Sequence, residues 1–221
     1  MNTWTYQVFV GGITALPGSG RPSAIVKRPV AQPVAVTAGG LAGDAQADTS
    51  VHGGPEKAVH CYPSAHYSML AQRFPALRSA LVPGVLGENL SVSGLTEADV
   101  HVGDEWRVGS VLLQVCQPRM PCWKIDARLG LDGVAAFIEA EGLTGWYCRV
   151  LELGEIQPEG EMGLSRRSAS AMTLAHALRL CAEHRPDLDA LRALAHTPGV
   201  SPQWATRLLK RADYLQRLST G

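Results

Sequence analysis

Up to about Gly160 the apolar positions come in short runs, each broken within a few residues by glycine or proline. Tyr6–Val10, Ala24–Val26, Val34–Val36 and Ala58–Tyr62 have β-type composition and turn residues at their ends. Glu105–Val108 and Val111–Cys116 flank Gly109-Ser110, a spacing that predicts a two-residue type II′ hairpin. Trp146–Leu151 is a further strong strand, and helical spacing intrudes only at Ser64–Arg73, Trp123–Leu129 and Gly133–Ala140. Many short strands with few long helical patterns predict a mainly β fold with some α, a barrel or sandwich rather than a doubly wound sheet.

After Gly163 the pattern changes period. Ala169–Ala182 and Leu188–Ala195 carry apolar residues at helical spacing, with Asp187 as a candidate N-cap. Ser201-Pro202 then opens a third helix with an N-cap serine and proline at its first position, followed by Trp204, Leu208 and Leu209 on one face. The division expected is residues 1–163 for the β domain and 164–221 for a three-helix C-terminal domain. So small a helical set buries little surface alone, so it is expected to dock on the β domain or to form a small bundle.

Composition narrows the function classes. In 221 residues, 46% are apolar and 18% charged, and twenty basic residues balance twenty acidic ones. That excludes an electrostatic footprint for nucleic-acid polymers or anionic membranes, though a local basic pocket stays open. No window approaches the roughly 20 apolar residues of a membrane span, and the first residues lack a signal-peptide pattern, so a cytoplasmic location is expected. The five cysteines, at 61, 116, 122, 148 and 181, include no Cys-x-x-Cys pair. Neither a disulfide framework, a structural zinc site nor a usual iron–sulfur pattern is indicated, so any electrons used here come from another protein.

Gln117-Pro118-Arg119-Met120-Pro121-Cys122-Trp123-Lys124 carries the most chemistry. Two prolines fix the backbone beyond a hairpin strand, and Cys122 lies between Arg119 and Lys124 just before a predicted helix start. Positive charge and a helix N-terminus both favour thiolate, the form that a soft metal binds. Cys61, Cys116 and Cys148, inside apolar strands, read as core residues instead. In His52-Gly53-Gly54-Pro55-Glu56-Lys57, the Gly53-Gly54 turn lets backbone N–H groups approach an anion, with Lys57 adding charge. In Gly84–Leu90, Glu88 and Asn89 sit on a glycine turn and either orient a ligand or cap backbone groups. Arg149 stands among apolar residues, either as an inward anion contact or facing water. In the third C-terminal helix Arg207, Lys210 and Arg211 beside Trp204 form a solvated face or a docking site for an electron donor.

In this order, His52–Val59, Gly87–Leu90, Val102–Asp104, Gln117–Lys124 and Thr144–Val150 resemble MOSC-domain proteins of the YiiM-like branch, and the tail resembles that branch's three-helix extension. Leu86 departs from the aromatic residue common there. The resemblance implies a β-barrel-like domain, similar to the C-terminal domain of molybdenum-cofactor sulfurases. It implies a molybdenum cofactor whose protein ligand is Cys122, with the cofactor phosphate held by Arg119, Lys57, Lys124 and Arg149; pyridoxal phosphate is not expected. It further implies reduction of N-hydroxylated bases, such as 6-hydroxylaminopurine, to amines, a detoxifying activity driven by a separate reductase. His52 is then the candidate proton donor, with Glu88 second, because an unperturbed histidine titrates near neutrality. Two other classes stay open: a non-catalytic carrier of the cofactor or of persulfide sulfur on Cys122, and a metal-free anion-binding module. The pattern does not determine the oligomeric state.

Overall fold

A computed structural model of the chain describes residues 4–17, 19–47, 53–167 and 172–220. Seven strands make its main sheet: β1 (Trp4–Val10), β2 (Val59–Pro63), β3 (Leu90–Ser93), β4 (Glu105–Val108), β5 (Val111–Pro118), β6 (Trp146–Glu152) and β7 (Glu159–Arg166). Their order is β7-β4-β5-β6-β2-β3-β1, and antiparallel pairing of β1 with β7, from Trp4↔Met162 to Gln7↔Glu159, closes the sheet into a barrel. Only the β2–β3 neighbours run parallel, with Cys61 opposite Leu90. Arg28–Pro29 extends the sheet beside β1, and Gly154–Ile156 pairs with Val34–Thr37 in a small side sheet.

The expected hairpin is present: Val108 pairs with Val111 across Gly109-Ser110. Gly109 has φ +56°, and a Cβ there would lie 2.7 Å from the Glu155 carbonyl oxygen, so turn geometry and close packing both require glycine. Two strand expectations need correction. Ala24–Val26 lies in no strand; it runs along the outside of the barrel, with the Ile25 N–H 3.3 Å from Ser23 Oγ. Conversely β7 carries glycines and charges of low β propensity and was not foreseen. It forms because β1 and β4 bond it on both sides, with Met162 buried. β7 also runs through Gly163 to Arg166, past the expected domain division.

Six helices follow the predicted text: α1 (His66–Arg73), α2 (Lys124–Leu129), α3 (Val134–Ala140), α4 (Leu174–Ala182), α5 (Leu188–Ala195) and α6 (Pro202–Thr220). They divide between two cores. Ile125 of α2, Val134 and Ile138 of α3, and Leu70 of α1 pack with Leu16, Ile25 and Leu86 outside the barrel. The C-terminal helices instead share the barrel's own core, placing Leu174, Leu180, Leu191, Leu194 and Leu208 in one cluster with Val100, Val102 and Trp106. Each buried leucine contributes about 1.5–3 kcal/mol of apolar burial, so the docking is integral to the fold. No helix among the described residues is long and apolar enough to cross a membrane.

Ser201 fixes the start of α6. It is fully buried, its N–H donates to the Cys116 carbonyl at 2.9 Å, and its hydroxyl donates to Gln117 Oε1 at 2.6 Å. The same oxygen accepts the Trp204 N–H at 3.2 Å, the N-cap bond foreseen from Ser-Pro-x-Trp. Ser201→Ala is expected to cost about 1–3 kcal/mol, because it removes the cap and orphans the Gln117 acceptor. Urea unfolding measures this; unchanged stability would mean that α6 is not anchored through this hydroxyl.

Candidate functional site

The cleft opens where the two cores meet. The Arg119 N–H donates to the Gly145 carbonyl at 3.1 Å as the chain leaves β5. The Cys122 carbonyl accepts from the Ile125 N–H at 3.0 Å, and Ile125 is fully buried in the outer core. Cys122 is thus held between anchors on both sides. It is half-buried and lines a cleft of about 610 Å³ including its open mouth. The helix following it, α2, has only six residues, so its dipole is short and the fixed cations carry the local field.

Arg119, Lys57, Lys124 and Asn89 line the same cleft. Arg119 is buried, so its charge acts at reduced dielectric. The turn Gly53-Gly54 leads into the 3₁₀ turn Pro55–Lys57. Gly53 has φ +131°, and a Cβ on it would fall 1.9 Å from Gln46 Oε1, a side chain of the cleft wall. Glycine there brings the backbone against the Gln46 side chain; Gly53 and Gly54 are not themselves among the residues that line the cleft.

Four titratable residues that sequence reasoning did not select also line the cleft. Lys27 forms a buried ion pair with Asp44, Nζ to Oδ2 at 2.6 Å. Burial pushes the Lys27 ammonium below the usual lysine range, while Asp44 opposes that shift. Asp44 also accepts the Gly11 N–H at 2.8 Å and the Asn89 amide at 2.9 Å. His60, inside β2, is the third. Its Nε2 is buried with no hydrogen-bond partner among the described residues, and burial, then the nearby Arg119, hold its imidazole well below the ordinary histidine value. It is therefore neutral near pH 7. Tyr147 stacks obliquely on it, with ring centroids 5.3 Å apart, and completes the wall beside Arg119 and Cys122. The available signals were weak: a charge ending the Ala24–Val26 run, Asp44 in a loop, and a histidine alternating within a strand.

Several expected site residues lie elsewhere or are otherwise engaged. Glu88 is fully buried behind the cleft; its carboxylate accepts from the Tyr67 hydroxyl and, at 2.6 Å, from the Gly84 N–H. Burial raises its pKa, and it is not among the residues that line the cleft; its bonds support the Gly84–Asn89 turn. Arg149 is also corrected. It turns away to pair with Glu56, and donates to Gln114 Oε1 at 2.8 Å and to the Val200 carbonyl at 3.3 Å. Asn89 lines the cleft, but its amide is already committed: Oδ1 accepts the His60 N–H at 3.0 Å while Nδ2 donates to Asp44 and to the Phe9 carbonyl. His52 lies outside the described residues.

The MOSC domain family model matches residues 48–162. Protein YiiM of Escherichia coli is 38% identical over 206 residues, 93% of this chain and 91% of that protein. The crystal structure of YiiM from Geobacillus stearothermophilus superposes with a TM-score of 0.79 at 31% identity, covering 94% of this chain and 99% of that one. A longer protein named Reductase, from Gibberella moniliformis, is 32% identical over 177 residues, 80% of this chain but 31% of its own length. With the cleft, the barrel and the helical extension in place, the chain belongs to the MOSC-domain family and is closely related to YiiM over nearly its full length.

Proposed function

We propose that the chain is a molybdenum-cofactor-dependent reductase that converts N-hydroxylated bases and related compounds to amines. The observation that carries this is the placement of the thiols. Cys61, Cys116 and Cys148 are sealed in the core, whereas Cys122 lines a cleft with Arg119, Lys57, Lys124 and Lys27. A soft donor beside fixed cations matches a thiolate-bound metal whose organic part carries phosphate. The match to a protein named Reductase supports a redox role, and the lack of any Cys-x-x-Cys pair supports an external electron supply.

The cofactor, when bound, supplies the two-electron chemistry that takes N–OH to N–H with release of water. Cys122 provides the metal ligand, and Arg119 with Lys57 and Lys124 holds the anionic end. Lys27 serves as the fixed acid: Asp44 keeps it protonated, and burial makes it a stronger acid than a lysine in water. His60, neutral, forms part of the wall against which the N–OH group would lie.

With purified, cofactor-loaded protein and dithionite-reduced methyl viologen, 6-hydroxylaminopurine is expected to be reduced. Cys122→Ser should cost more than the roughly 10–100-fold that loss of a supporting contact costs a metal site, while Cys181→Ser leaves the rate unchanged. Metal retained without turnover in the wild type would instead mean a cofactor carrier. Thiol chemistry gives a second check. Burial pushes the Cys116 thiol up to about 12, so at pH 8 roughly one molecule in 10,000 carries its thiolate. Burial also holds Cys148 well above the ordinary thiol value. Brief iodoacetamide treatment of the folded protein should therefore label Cys122 before Cys116 or Cys148, by peptide mass mapping. Labelling of Cys116 first would contradict the cleft assignment.

A further inference from the structure

We propose that Glu56 and Arg149 are positioning residues that hold Lys57 in the cleft, and that they make binding of the cofactor's anionic end depend on the loop before α6; the proposal rests on the function given above. Lys57 lines the cleft, whereas Glu56 and Arg149 do not. The turn that carries Lys57 has little of its own to hold it in place. Pro55–Lys57 is a single 3₁₀ turn, closed by the Lys57 N–H on the Gly54 carbonyl at 2.9 Å, with no side-chain cap and no buried residue. So short a segment is weakly determined by its own hydrogen bond.

Glu56 supplies the anchorage, through its side chain and its backbone. Its carboxylate accepts from Arg149 Nε at 3.0 Å and from Nη2, so two N–H groups of the planar guanidinium fix one oxygen. Its backbone carbonyl accepts from the Cys116 thiol, Sγ to O at 2.8 Å. Burial pushes that thiol up to about 12, so near pH 7 it keeps the proton it donates. Arg149 is fixed in turn. It lies opposite Gln114 in the β5–β6 register and donates from Nη1 to Gln114 Oε1 at 2.8 Å. Nη2 also reaches the Val200 carbonyl at 3.3 Å, one residue before the Ser201 N–H that bonds to Cys116. The Val200 loop packs closely on the barrel: a Cβ on Gly199 would fall 2.7 Å from Gly103 Cα and 3.1 Å from the Gln114 carboxamide carbon.

What these contacts determine is where the residue after Glu56 stands. Lysine is a point charge on a flexible stem, so the position of its backbone decides whether the ammonium meets an anion in the cleft. Charge alone argues against a glutamate at this place. A carboxylate beside Lys57 weakens the positive field that an anion would feel. The two roles therefore predict opposite signs. Neutralising Glu56 strengthens anion binding if the residue acts only through its charge, and weakens it if the residue acts by placing Lys57.

Titration calorimetry of the full-length, cofactor-free chain with inorganic pyrophosphate reads that sign. Lys57→Ala is expected to weaken binding roughly tenfold, the loss of one charge-assisted contact. Glu56→Gln, which keeps the shape, and Arg149→Lys, which keeps the charge but not the fork, should each weaken it roughly three- to fivefold. Glu56→Gln added to Lys57→Ala should weaken it no further, because the lysine through which Glu56 acts is gone. Molybdenum retained by the cofactor-loaded protein after desalting should fall in Glu56→Gln and in Arg149→Lys. Unchanged or tighter pyrophosphate binding by Glu56→Gln would overturn the proposal. So would equal losses from Glu56→Gln with and without Lys57, or binding that Lys57→Ala leaves intact. If the loaded wild type reduces no 6-hydroxylaminopurine, the proposed activity fails, while the pyrophosphate titrations still decide the role of Glu56 and Arg149.

Discussion

The Asp44 carboxylate is the point on which the cleft depends. One oxygen takes the Gly11 N–H beyond β1; the other takes Lys27 and the Asn89 amide that precedes β3. Asn89 in turn reaches the backbone of His60 in β2 and of Phe9 in β1. Three barrel strands and the segment bearing Lys27 are thereby tied to one buried charge. Removing one partner of such a pair costs about 3–5 kcal/mol, since the remaining charge is left uncompensated. This makes Asn89 a structural clamp whose backbone happens to form part of the wall, and it leaves Lys27 as a preformed cation on the cleft floor.

The same architecture sorts the cysteines. Barrel strands β2, β5 and β6 bury Cys61, Cys116 and Cys148, where desolvation favours the thiol and packing excludes reagents. Cys122 leaves the barrel at the end of β5 and is anchored through Ile125 to the second core. It therefore sits at the seam, exposed enough to bind a ligand and too tightly held to drift. Trp123 beside it is exposed, with the Arg21 guanidinium 5.2 Å from its ring centre. The C-terminal helices dock through Ser201 onto the same end of β5.

Local features were legible in the sequence wherever one segment determined them. The hairpin at Gly109-Ser110, the Ser201 cap and the Gln117–Lys124 turn each follow from turn chemistry and spacing. What was not legible depends on distant partners. Lys27 and Asp44 are seventeen positions apart, and only the closed barrel makes them a pair. β7 has a poor strand sequence and exists because two neighbours bond it. The partners of Glu88 and Arg149 were hidden for the same reason. A carboxylate on a glycine turn looks available until Tyr67 is found on it, and an arginine in a strand looks aimed inward until Glu56 takes it.

The role proposed for Cys122 is that of the protein's ligand to molybdenum, held by the seam between two cores. X-ray absorption at the molybdenum edge of the cofactor-loaded protein tests it most directly. The wild type is expected to show one sulfur neighbour more than the dithiolene supplies, and Cys122→Ser should lose that neighbour, with a lighter oxygen scatterer in its place. An identical sulfur count in the two proteins would contradict the account.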